Sequence, residues 1–175
     1  MTFRENLAGY VIGDLLSDQL PGIAVSALEE GLDSPSLRIL AGLPESTNPF
    51  QIKSYLKLAM TELEIGEPDL RTAALIYSAG LARQIVDGQL PVLKGVAKIR
   101  WHALDKYDFF AESRVYVYDS IRFSSIYGLY VSLDELPQVY DQLQTEKTLE
   151  EEQAWLETQI RSELKAWRPL GPDGA

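Results

Sequence analysis

The chain has 175 residues with 26 acidic and 16 basic side chains, one histidine and no cysteine, for a formal charge of −10. The missing cysteines exclude disulfides, thiolate-bound zinc, iron–sulfur clusters and thiol nucleophiles. An acid excess with no basic run argues against a nucleic-acid partner.

Apolar residues make up 46% of the chain and charged residues 24%, which is a globular mixture of a length that fits one domain. No apolar stretch approaches bilayer length, and Met1–Leu7 lacks the basic-then-apolar pattern of a leader. These features predict a soluble, cytoplasmic protein with no membrane partner.

Proline and capping residues divide the chain into segments. Thr2 and Glu5 form a capping box, and Phe3, Leu7, Val11 and Leu15 recur at four-residue steps, predicting a helix over about 3–17. Pro21 opens a second helix that stops at Gly31, and Ser34-Pro35 caps a third that closes at Gly42. Asn48-Pro49, with Gln51 as a capping-box partner, starts a fourth running to about Glu64. Gly66-Glu67-Pro68 leads into a fifth, with Leu70, Ala74, Tyr77, Leu81 and Ile85 on one face and Asp87-Gly88 at its end. Leu90-Pro91 opens a sixth through about Leu104, with Leu93, Val96/Ala97 and Trp101 inward.

Residues 106–133 support two readings. Val115–Tyr118 and Ile121–Ser124 have strand chemistry, which allows a small β-hairpin within 114–132. Val115, Tyr118, Ile126, Leu129 and Leu133 also fit a helical stripe, and helical neighbours on both sides favour it. Leu136-Pro137 then predicts a short helix to about Gln144. Thr148 and Glu151 cap a last one over 149–168, with Leu149, Leu156, Ile160, Leu164 and Trp167 as its apolar face. The fold expected is all-α, one globular domain of seven to nine mostly short helices over 1–170, followed by a flexible tail at 171–175.

Pro35-Ser-Leu-Arg38 and Pro68-Asp-Leu-Arg71 match at a period of 33, but the rest of the two windows does not. No phosphate-binding glycine loop or nucleophile elbow occurs. Two constellations remain. His102, Asp105, Asp108 and Glu112 would share one face if their helix continued, as weak candidate metal ligands. With no second matching set on another helix, no metal and no cofactor is expected.

The other constellation is aromatic, and nine of the seventeen aromatic residues fall between Trp101 and Tyr130. Trp101, Tyr107, Arg114, Tyr116, Tyr118, Arg122, Tyr127 and Tyr130 are its candidate binding residues, since tyrosine with arginine is the composition of interface hot spots. Core, interface and small-molecule pocket are the three uses open to it. The nearby Lys94, Lys98 and Arg100, with Arg83, read as a solvated basic face. The function expected is non-catalytic binding of another protein or of a second copy. A regulatory, immunity-like role would let the acidic surface cover a basic partner. The alternative is a ligand-binding protein or enzyme with an aromatic-lined pocket in 101–130.

Overall fold

The structure, a computed structural model, describes residues 1–44, 46–143 and 145–169. The predicted tail at 171–175 lies outside them. Among the described residues there are nine α-helices and no strand, so the fold is all-α. The chain divides into two compact units, Met1–Tyr77 and Ser78–Ala175, and the division falls inside one helix.

In the first unit the helices are α1 (Phe3–Val11), α2 (Leu20–Glu29), α3 (Pro35–Ala41) and α4 (Pro49–Glu62), followed by the opening turns of α5 (Leu70–Val86). The Thr2–Glu5 capping box forms in both directions, at 2.8 and 3.4 Å. α1 is shorter than the predicted 3–17. Gly13 takes φ +78°, and the chain turns before a short 3₁₀ segment at Ser17–Gln19. Ser34 Oγ accepts from Leu37 N–H at 3.2 Å and starts α3. Glu62, at the end of α4, accepts from Ser36 N–H at 2.9 Å and Ser36 Oγ–H at 2.7 Å, joining the end of one helix to the start of another. The core under these helices includes Phe3, Leu7, Leu20, Leu37, Ile52 and Leu56. Gly9 is part of this packing, because a Cβ there would lie 2.6 Å from the Tyr77 ring.

Asp69, not Pro68, starts α5, its carboxylate accepting from Thr72 N–H at 2.9 Å and Thr72 Oγ–H at 3.0 Å. The period of 33 therefore joins unlike positions, since Pro35 is the first residue of α3 while Pro68 precedes its helix.

The second unit contains the rest of α5, then α6 (Val92–Lys98), α7 (Phe110–Ser113), α8 (Ser124–Val139) and α9 (Leu149–Ala166). α8 packs along α9, and α6 touches both. The Thr148–Glu151 box caps α9, and Leu156, Ile160, Leu164 and Trp167 are buried as predicted. Pro137 starts no helix. α8 runs through it and ends two residues later, so the ring disturbs only a final turn. No hairpin forms in 114–132. The residues before Ser124 are a short helix and irregular turns.

Candidate functional site

The irregular stretch between α6 and α8 holds most of the candidate residues. α6 loses its α-helical pattern at Ile99–Ala103, which is a π-turn, and Leu104–Lys106 tightens into a 3₁₀ turn. Wide π-turns are uncommon and occur often at functional positions.

The buried face of this segment is Val92, Val96, Ile99, Ala103 and Leu104, not the predicted Leu93, Ala97 and Trp101. Gly95 selects that face. A Cβ at Gly95 would lie 2.4 Å from Ile85 Cγ1, so only a bare backbone fits against the fully buried Ile85. Trp101 is accordingly turned outward, 52% exposed.

The π-turn places Arg100 between two rings. Its guanidinium carbon lies 3.7 Å from the Trp101 ring centroid and 4.6 Å from that of Tyr127. Arg100 Nε is buried, has no hydrogen-bond partner among the described residues, and sits 4.0 Å from Asp105 Oδ2. The other Asp105 oxygen accepts the Tyr118 hydroxyl. Burial, and then the hydrogen bond to Asp105, push the Tyr118 phenol well above its ordinary value, so it stays a protonated donor. Its ring meets Phe123 at 5.8 Å and Tyr127 at 5.7 Å edge-on, and Tyr127 stacks on Tyr130 at 6.3 Å. Burial and the Asp134 charge raise the Tyr130 phenol as well.

The loop between α7 and α8 is held in an unusual backbone. Arg114, Tyr118 and Arg122 have φ of 55°, 72° and 57°, the left-handed region that residues with a Cβ rarely enter. These turns at every fourth residue break the strand reading and end the helical stripe before Ser124, beyond which Ile126, Leu129 and Leu133 do lie on a helix, α8.

Side chains fix the loop from several directions. Trp167 Nε1–H donates to Ile121 O at 2.7 Å, and Ser113 Oγ–H donates to Tyr116 O at 3.1 Å. Ser124 Oγ lies 2.5 Å from Asp119 Oδ1. Between Arg114 and Tyr118 the loop presents Val115, Tyr116 and Val117 outward, 64%, 69% and 39% exposed. Phe110, Arg114 and Arg122 are exposed as well.

The predicted aromatic cluster thus separates by position. Tyr118 and Tyr130 are buried, Tyr107 and Tyr127 half-buried, and Trp101 and Tyr116 exposed. The candidate metal ligands do not converge. The helix breaks at Tyr107, which is extended, so His102 and Asp105 do not share a face with Asp108 and Glu112. Asp108 instead accepts from Ala111 N–H at 3.1 Å, and Asp105 serves Tyr118 and Arg100. Among the described residues no three His, Asp or Glu side chains gather where a metal ion could be held.

Arg100, Val115 and Val117 are missing from the residues the sequence nominates. The adjacent Arg100-Trp101 pair was a usable signal for the first. The outward turn of the two valines depends on a backbone conformation that no residue type there announces.

No protein-family model, curated protein or solved structure matches the chain.

Proposed function

We propose that the protein acts without catalysis of its own, by binding another protein through the loop between α7 and α8. The observation that carries this reading is the exposed run Val115-Tyr116-Val117. Three consecutive large apolar side chains in water are a cost without a folding return unless a partner covers them. Strained backbone kept in place by surrounding hydrogen bonds is a mark of functional segments. The exposed Arg114 directly before the run, and the exposed Arg122 farther along the same loop, supply the kind of polar group that interface hot spots use.

The aromatic residues behind the loop support this reading over a small-molecule pocket. The space between Trp101 and Tyr127 is filled by the chain's own Arg100. The finer form of the proposal, a regulatory or immunity-like protein that covers a basic partner, rests on the net charge of −10.

Photocrosslinking from position 116 in cells tests the reading. A discrete adduct that disappears when Val115 and Val117 are changed to Ser supports it. No adduct, or the same adducts from an exposed control such as Ser54, overturns it. Light scattering across a concentration series shows whether the partner is a second copy.

A further inference from the structure

A separate surface of the second unit lies between α8 and α9. Leu136 and Val139 of α8, Leu143 beyond it and Trp155 of α9 line an open groove of about 320 Å³, with Glu135 and Glu152 along its edge. Val139, Leu143 and Trp155 remain 36%, 43% and 47% exposed.

One cation already sits at this groove. Lys147 Nζ lies 4.9 Å from the Trp155 ring and 3.8 Å from Glu152 Oε2. An ammonium over an indole face beside a carboxylate is favourable cation–π and ion-pair geometry. The groove's edge carries Glu135 and Glu152 against the single Lys147, and the sequence from Leu133 to Pro169 has nine acidic and four basic residues, so the charge there favours a further cation. Two of the other three bases are engaged elsewhere. Arg161 reaches Glu157 and the Ile85 carbonyl, and Arg168 donates to the carbonyls of Lys165 and Trp167.

We propose that this groove binds a basic amphipathic segment of a partner protein. Large apolar side chains at helical i and i+3 or i+4 spacing would enter between α8 and α9. Lysine or arginine flanking them would meet Glu135 and Glu152, one taking the position over Trp155 that Lys147 holds. The surface does not involve the α7–α8 loop, and the proposal stands or falls independently of it.

The probe is a synthetic helical peptide of leucine and lysine with the leucines on one face, titrated calorimetrically into the full chain. Its controls carry glutamate for lysine, or serine for leucine. The expected result is saturable binding of the leucine–lysine peptide alone. Trp155→Ala and Glu135→Lys should each weaken it by about tenfold or more, and added salt should weaken it further.

Val139→Ser and Leu143→Ser, both at exposed positions, give milder groove variants, and circular dichroism verifies that each variant is folded. Tyr116→Ser should bind the peptide as the wild type does. No binding, equal binding of the glutamate or serine peptide, or unchanged affinity in the groove variants overturns the proposal. So does loss of binding in Tyr116→Ser, which would place the peptide on the loop. A dimer that Leu143→Ser dissociates overturns it too, by making a second copy the occupant.

Discussion

The two units handle the same task, stopping one helix and starting the next, by different means. In the first, helix starts carry local caps, even where a distant carboxylate such as Glu62 on Ser36 adds to one. Thr2, Ser34, Asn48 and Asp69 each satisfy a helix N-terminus with their own side chain, and Gly31 takes the left-handed turn after α2. In the second, the passage from α6 to α8 uses a π-turn, a 3₁₀ turn and three non-glycine residues at positive φ. Such a path is stable only because distant groups hold it. Trp167 comes from beyond the end of α9, and Asp105 reaches Tyr118 from thirteen residues away. The lesson is that a segment with few local instructions is specified by its tertiary partners, and those partners are where it is vulnerable.

Removing a partner should therefore do the most damage. Phe123 is fully buried against Tyr118 and Trp167, and Phe123→Ala is expected to cost about 3–5 kcal/mol in urea unfolding. A loss under 1 kcal/mol there would show that the loop is self-supporting and does not depend on its tertiary partners.

Gly95→Ala pushes a methyl into Ile85, which is 0% exposed, and should cost about 2 kcal/mol by the same measurement. Tyr118→Phe leaves the Asp105 carboxylate without its donor, for a loss of about 1.5 kcal/mol.

In the first unit the sharper test is pH. The Ser36 hydroxyl, then the Ser36 N–H and the Ser34 hydroxyl, hold the Glu62 carboxyl below the usual glutamate range. A carboxyl lowered on folding stabilises fully above its unfolded value, near 4.3. That contribution is lost as pH falls through the lower folded value. The wild-type urea midpoint should thus drop more steeply than that of Glu62→Gln as acid is added below about pH 5. Parallel curves would remove Glu62 as a stabilising contact. The smallest effect is expected at the loop's apex. Tyr116→Ser should change stability by no more than about 0.5 kcal/mol, because the ring is 69% exposed. A larger loss would mean that the exposed run belongs to the fold and not to a partner.

Much of this fold was legible because capping chemistry acts over three or four residues. The boundaries of α2, α3 and α9 follow from Gly31, Ser34-Pro35 and Thr148/Glu151. Errors appear where a contact far along the chain outweighs a local preference. The inward face of α6 departs from the one that the large Leu93 and Trp101 suggest, because the small Gly95, whose lack of a side chain lets Ile85 approach, sets it. Pro137 looks like a helix start but lies inside α8. Residues 106–133 read from sequence as either helix or hairpin, and up to Ser124 the chain is neither a hairpin nor a continuous helix, because its turns depend on partners that lie elsewhere. The division of this aromatic stretch into buried Tyr118 and exposed Tyr116 is not readable from sequence, since both are tyrosines two residues apart and only the left-handed backbone of Tyr118 itself sets them apart.

All three tryptophans of the chain, Trp101, Trp155 and Trp167, lie in the second unit, and they sample exposed, half-open and buried surroundings. Indole emission is therefore a selective reporter of that unit, silent about Met1–Tyr77. Far-ultraviolet circular dichroism, by contrast, averages over helices of both. Denaturation followed by the two signals would superimpose if the halves melt as one cooperative body, and would separate if they melt in turn. The uneven placement of three side chains thus gives a built-in way to measure whether the boundary inside α5 is also a boundary in thermodynamics.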